Sequence, residues 1–414
     1  MKKTITLIAL VGLGLGPCSL FAQSPLFTSW KITGKTITKG STTIITDVEA
    51  VYYDSSSAYI KTSGIPDDYD FATSGNVNEA YDLKAVFKIT RSPQKNTGKL
   101  TSALGGGQYG LYKDGTEIFN GEDAMSYNNQ NVWHSLAYYF EGKDFDASWG
   151  HSTPTNQYHH HVLDLDLQDT TKSMVHSPIL GFAFDGFPIY GPFACKDPND
   201  LKSSIVRMTP SYQKRNITDR TTLGNGTTLT GAQTGPAIGG KYPLGCYRED
   251  YIYVANSGLL DDHNGRFCKT PEYPNGTYAY FAILDSNLKP QYPYVFGQSM
   301  YGITDASNMG PGGGKATIPA GAVKYGSTGI ETVRGAMPLQ FYPNPATGTV
   351  QLAFPSDQRL NIEVTDMTGR VLIHTTTNTN QSSLDISGLA KGMYIIHADG
   401  TAGSSQWTGR LVKE

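Results

Sequence analysis

The chain has 414 residues, Lys+Arg 33 against Asp+Glu 36, a formal net charge of -3, 38% hydrophobic residues and 17% charged ones. That length leaves room for two or three domains with cores of their own and excludes a miniature held only by disulfides. A balance this close to neutral, without a Lys/Arg-rich run, leaves no electrostatic footprint for nucleic acid.

Tyr at 26 and Gly at 46 run high, a mixture that favours strands and turns over helices. Taken in order, residues 1–22 have the layout of a secretory signal peptide: Lys2 and Lys3, an apolar run over 5–15, and Ala22 as the small residue before the cut. No later stretch reaches the roughly 18 continuous apolar residues of a transmembrane helix. Processing would remove Cys18 and leave Cys195, Cys246 and Cys268, so one disulfide and one unpaired thiol are expected, with the pairing open.

From 24 to 305 the chain is dense in Tyr, Val, Ile and Thr and broken every few residues by Gly, Pro, Asn or Asp, which predicts mainly antiparallel β-structure with long loops. Residues 306–336, including Gly310-Pro311-Gly312-Gly313-Gly314, read as a linker. Residues 337–414 read as a small immunoglobulin-like β-sandwich of short alternating segments. The overall fold class is therefore mainly β. Within the first domain, residues 110–121 echo residues 181–192, each with Asp-Gly (Asp114-Gly115, Asp185-Gly186) between alternating apolar residues. Two related hairpins with type I′ turns are expected, and a pseudo-symmetric fold with a site between its halves.

The C-terminal domain carries Phe341-Tyr342-Pro343-Asn344-Pro345, Asp366-Met367-Thr368-Gly369-Arg370, Leu389-Ala390-Lys391-Gly392-Met393-Tyr394 and the terminal Leu411-Val412-Lys413-Glu414. Together these resemble the C-terminal sorting domain of the type IX secretion system of Bacteroidetes. The resemblance implies export across the outer membrane, the secretion machinery as partner, and a place outside the cell or on its outer surface.

Histidine placement is the main chemical signal. Six of the nine histidines fall between positions 134 and 176. In Tyr158-His159-His160-His161, an extended backbone points His159 and His161 to one face, close enough to share an ion. Neutral imidazole suits Zn or Cu among the divalent transition metals. His151, His176, His134 and Asp185 are the candidates for further ligands, with Asp164 and Asp166 nearby, and His160 on the opposite face is expected to be structural. The P-loop, nucleophile-elbow and HExxH patterns are absent.

The segment Asn156-Gln157-Tyr158-His159-His160-His161, the run 176–192, and the later Leu260-Asp261-Asp262-His263-Asn264-Gly265-Arg266-Phe267 and Thr277-Tyr278-Ala279-Tyr280-Phe281 resemble the YHYH-domain family over roughly 25–305. Asp123-Ala124-Met125-Ser126-Tyr127 looks like a further family segment. His160 stands where the name-giving pattern has its second Tyr. The family implies no established activity. Two functions remain open: a metal-dependent hydrolase or copper oxidoreductase, or a non-catalytic surface protein that binds a glycan or other small molecule or sequesters metal.

Overall fold

A computed structural model describes residues 24–71, 78–99, 101–102, 107–310, 313–326, 336–354, 357, 359–366, 370–400 and 406–414; the expected signal peptide at 1–22 lies outside them. The chain divides into two units, one ending at Tyr325 and one beginning at Gly326. Both are β-structures, as the composition predicts, and no described helix is long and apolar enough to cross a membrane.

Twelve strands make the two larger sheets of the first unit: β1 (Val48–Tyr53), β2 (Ser57–Thr62), β3 (Ala85–Thr90), β4 (Gln108–Tyr112), β5 (Glu117–Phe119), β6 (Gly150–Ser152), β7 (Tyr158–His160), β8 (Ile179–Ala183), β9 (Pro188–Tyr190), β10 (Gly265–Cys268), β11 (Thr277–Phe281) and β12 (Val323–Lys324). Eight form a mixed sheet in the order β6-β7-β5-β4-β8-β9-β11-β10, and four form a second sheet, β12-β1-β2-β3. Val48, Val51, Ile60, Phe87 and Ile89 of the smaller sheet pack with Leu111, Phe182, Ala279 and Phe281 of the larger one. The opposite face of the large sheet is covered too, where Tyr109, Tyr112, Ile118, Leu180, Ile189 and Tyr280 meet Val295, Phe296 and Met300 of the loop region. Burial on both faces explains why β8, β9 and β11 are nearly continuous apolar runs rather than alternating ones.

The echo in the sequence is a real repeat. Hairpins β4–β5 and β8–β9 lie side by side, with Leu111 opposite Phe182 at the centre. Outward from each, a parallel strand is added, β7 on β5 and β11 on β9. An antiparallel strand then closes each half, β6 on β7 and β10 on β11. Register pairs His160 with Ile118 and Gly150, and Tyr280 with Ile189 and Gly265, so these sets correspond. One carboxylate braces each outer hairpin. Asp146 accepts the N–H groups of Ser148 and Gly150 and the hydroxyl of Tyr158 at 2.8 Å; Asp261 accepts those of His263 and Gly265 and the hydroxyl of Tyr278 at 2.9 Å. Glycine is required opposite each ring, since a Cβ at Gly150 would lie 2.1 Å from the Tyr158 hydroxyl and one at Gly265 2.3 Å from that of Tyr278.

Three expectations change. Both Asp-Gly hairpins turn without the type I′ geometry: only Gly115 and Gly186 have positive φ, 87° and 89°. The turn bonds Gly115 N–H to Tyr112 O and Tyr112 N–H to Thr116 O describe a type I turn closed by a left-handed glycine. Asp114 and Asp185 stay right-handed, where their carboxylates accept the N–H two residues on. The stretch expected as a linker begins later than its glycines suggest. Val86 N–H donates to Gly314 O, Ala316 N–H to Val86 O, and β12 pairs with β1, so residues up to Tyr325 belong to the first unit. Residues 327–335 of the expected linker lie outside the described residues. The expected disulfide is not formed, and Cys195, Cys246 and Cys268 are all free and buried.

The second unit has a five-stranded sheet, β13 (Ala336–Pro338), β20 (Gln406–Lys413), β19 (Gly392–Gly400), β16 (Leu360–Asp366) and β17 (Val371–Thr377), in that order. Its three-stranded partner is β14 (Gln340–Tyr342), β15 (Thr349–Ala353) and β18 (Gln381–Asp385). Val350, Leu352 and Leu384 of one sheet share a core with Ile362, Val364, Ile396 and Leu411 of the other, which makes a sandwich. Met367, Thr368 and Gly369 of its second motif lie outside the described residues.

The repeat gives His160 a physical reading. Its counterpart Tyr280 donates its hydroxyl to Asp185 at 2.6 Å, whereas the fully buried His160 leaves both ring nitrogens without a hydrogen bond, the nearest carboxylate being Asp164 at 3.5 Å. Asp114, the counterpart of Asp185, has its carboxyl pushed by burial up to about 7. His160→Tyr is expected to restore the missing hydroxyl and stabilise the fold by about 1 kcal/mol. Urea unfolding checks this, and a lower midpoint would mean the pocket beside Tyr112 and Tyr158 has no room for a phenol.

Candidate metal centre

Antiparallel pairing places His151 of β6 opposite His159 of β7. The two-residue period of the extended chain puts His161 on the same face as His159, immediately past the end of β7. One ring nitrogen from each of the three lies within 4.8 Å of the other two, and all three residues are buried. Among the described residues this is the one such group of three His, Cys, Asp or Glu side chains.

The tautomers follow from the second nitrogen of each ring. His159 Nδ1 lies 3.1 Å from the carbonyl of Gln157 and His161 Nδ1 lies 2.6 Å from that of Asn120. A carbonyl only accepts, so both Nδ1 atoms carry the proton and both Nε2 atoms present lone pairs. Those two Nε2 atoms stand 2.9 Å apart. Two lone pairs aimed at each other repel in a buried site unless a cation or a proton lies between them. Two nitrogens each about 2.0–2.1 Å from a single ion would stand about 2.9 Å apart at a right angle and about 3.3 Å apart in a tetrahedral site. The third imidazole offers Nε2 of His151, which is buried without a hydrogen bond.

Burial is the main cause that pushes His151 down to about 4 and His159 well below the usual histidine range, and the neighbouring imidazoles add to it. Neutral rings are the ligand form. Phe119 lies on His159 with ring centres 3.9 Å apart, and Phe145 packs on His151 at 4.8 Å, so the cluster has an apolar wall.

Beyond the rings opens a cavity of about 370 Å³ lined by His151, His159, His161, Glu141, Asp123 and Asp144. Glu141 follows the four-residue helix Ala137–Phe140, and its Oε2 lies 3.4 Å from His161 Nε2 and 3.7 Å from His151 Nε2. Against the burial that raises it, a proton on His161, and then on His151, would hold its carboxyl below the usual glutamate value. Burial pushes Asp123 up to about 6, opposed by the Met125 N–H that it accepts at 2.8 Å.

Of the sequence candidates, the structure brings together His151, His159 and His161 and places the others elsewhere. His134 is engaged by Glu249 at 2.6 Å and Arg248 at 2.8 Å. His176 donates to the carbonyl of Ser177 and packs edge-on against Tyr190 in the second half of the repeat. Asp185 is a fold anchor, accepting from Tyr280 and from the Gly302 N–H at 2.8 Å. Asp164 accepts the N–H of Asp166 and faces His160. The site does not lie between the halves either. The positions matching His151, His159 and His161 in the second half are Arg266, Ala279 and Phe281, the last two buried in the apolar core, so the cluster belongs to the first half alone. Sequence reasoning missed Glu141, an acid after an aromatic run with no spacing signal; Asp123 was visible only as part of a family-like segment.

Comparison with known proteins agrees with both resemblances. Residues 340–414 match the secretion system C-terminal sorting domain, which implies recognition by the secretion machinery and a secreted or outer-surface location. No curated protein matches the chain. A solved structure of PorZ, a surface component of the type IX secretion system of Porphyromonas gingivalis, aligns at 12% identity and a TM-score of 0.16, over 90% of this chain and 52% of its own length. The chain thus spans about half of that protein, and a likeness this slight carries no argument. Residues 86–293, half of the chain and all three clustered histidines, match the YHYH protein family, and the chain belongs to it.

Proposed function

We propose that the first unit is an exported, metal-dependent hydrolase that holds one divalent transition metal, zinc or copper, on His151, His159 and His161. The observation that carries the reading is the pair of Nε2 lone pairs 2.9 Å apart, each locked by a carbonyl behind it, in the wall of a cavity. Three protein ligands beside an open cavity are the pattern of catalytic rather than structural metal sites. A divalent ion held by these three imidazoles would supply Lewis-acid activation of water at neutral pH. Glu141, within 3.7 Å of two of the rings, would be placed to accept a proton from such a water, and Asp123 lines the same space for a substrate. Copper redox chemistry would use the same three imidazoles. The sorting unit delivers this centre outside the cell, either released or kept at the surface.

One observation favours a second, non-catalytic reading, that of glycan binding. A cavity of about 610 Å³ is lined by Tyr138, Tyr212, Tyr251, Tyr292 and Tyr294 together with Gln213, an aromatic and amide-bearing surface that suits a sugar face.

Elemental analysis of the purified protein should find about one transition-metal ion per chain, lost in His159→Ala/His161→Ala. Absence of metal from the wild type after reconstitution with zinc and with copper would remove the metal reading and make glycan screening the next step. The repeat supplies a control: Asp146→Ala and Asp261→Ala should destabilise the fold by similar amounts, about 2–3 kcal/mol, and only Asp146→Ala should release metal. Acidification gives a third test. Unfolded histidines take protons near pH 6.5 while His151 and His159 resist, so stability of the metal-free protein is present above about pH 6.5 and falls towards pH 4. Metal retention measured by dialysis is expected to survive at pH 5.5 and to fail near pH 4.

A further inference from the structure

Gly310, Gly313 and Gly314, in the stretch taken from its composition to be a linker, line a second cavity in the first unit. Asn308 ties this stretch to β3, accepting from Lys88 N–H at 2.9 Å and donating to the Lys88 carbonyl, and Gln108 Nε2 donates to Gly310 O at 2.8 Å. The space enclosed is about 420 Å³ and is lined by Gln108, Glu117, Gln157, Lys84, Gly313 and Lys315, among others. That volume is ample for a small metabolite.

Glu117 sits in its wall, 1% exposed, with the side-chain amide of Gln157 as its hydrogen-bond partner and no cation in ion-pair contact among the described residues. Burial pushes its carboxyl up to about 7. An unneutralised carboxyl in such a place costs stability unless something repays it. The fold itself does not require it. In the other half of the repeat, the positions of Gln108, Glu117 and Gln157 are held by Ile179, Pro188 and Thr277. The polar trio is therefore specific to this cavity. At its rim, the exposed ammonium groups of Lys84 and Lys315 have no carboxylate in ion-pair contact among the described residues.

We infer that this cavity binds a small zwitterion of the amino-acid class, its ammonium group on Glu117 and Gln157 and its acid group towards Lys84 and Lys315. An ammonium group supplies the charge and the donors that a buried carboxylate lacks, and the two lysines supply the opposite pole. The metal cluster is not needed for this binding, because it lies in a different cavity and shares none of these side chains.

Calorimetric titration of the whole protein, stripped of metal, with glycine, L-alanine, 4-aminobutyrate, ethylamine and acetate tests the inference. At least one of the three zwitterions should bind about tenfold or more tightly than ethylamine, and acetate should not bind. Glu117→Gln should abolish that binding while raising the thermal midpoint of the ligand-free protein, an effect a merely structural glutamate would reverse. Lys315→Glu, an exposed change that leaves folding alone, should weaken the zwitterion and spare ethylamine. Failure of every zwitterion to bind, or binding of ethylamine as tight as the best of them, would overturn the assignment. Metal content, measured on the untreated Glu117→Gln protein, should stay at the wild-type level.

Discussion

The hydrogen bond from the Tyr158 hydroxyl to Asp146 holds the part of the structure that carries the histidine cluster. The same carboxylate gathers the N–H groups of Ser148 and Gly150, so one side chain fixes the approach to β6, its first residue and its pairing with β7. All three clustered histidines lie on or next to these two short strands. Three-residue strands have little ladder of their own, and a charged acceptor shared by two N–H groups and a phenol supplies the order that length does not. The second half of the sheet uses the same brace at Asp261 without any cluster beside it, so the brace is an element of the fold onto which the histidines are placed.

That comparison within one chain separates what the fold needs from what a site needs. Where the second half has Ala279 and Phe281 in contact with the smaller sheet, the first half has His159 and His161 facing a cavity. Imidazoles at those positions lose hydration on burial and regain it only through the carbonyls of Gln157 and Asn120 and whatever meets their outward nitrogens. Glu117 follows the same logic on the neighbouring strand, where its counterpart is a proline.

Legibility in the sequence followed the distance over which each signal acts. The His159 and His161 pair was readable because a period of two is a local property, and the hairpin echo because an Asp-Gly turn is written in adjacent residues. His151 could be named but not distinguished from His134 or His176, since whether a nearby histidine converges depends on which strand pairs with which. Asp185 had the right chemistry and the wrong place: Tyr280, nearly a hundred positions away, holds it. Glu141 gave no signal, because only the packing of a four-residue helix against the hairpin brings it to the rings. The glycines after Asn308 misled for a related reason. Composition reports freedom of the backbone, whereas the carbonyls of Gly310 and Gly314 are bound by Gln108 and Val86.

The carbonyl locks behind His159 and His161 have a consequence for selectivity. Rings held from behind cannot swing to suit an arriving ion, so the ordering of the ligands is met during folding rather than at binding. Affinity for first-row divalent ions otherwise follows an order set by the metal, with copper above zinc. In the proposed site, a rigid pair of nitrogens 2.9 Å apart would instead favour the ion whose bond lengths and angles match that span. Discrimination between ions would then be a property of two backbone carbonyls that touch no metal.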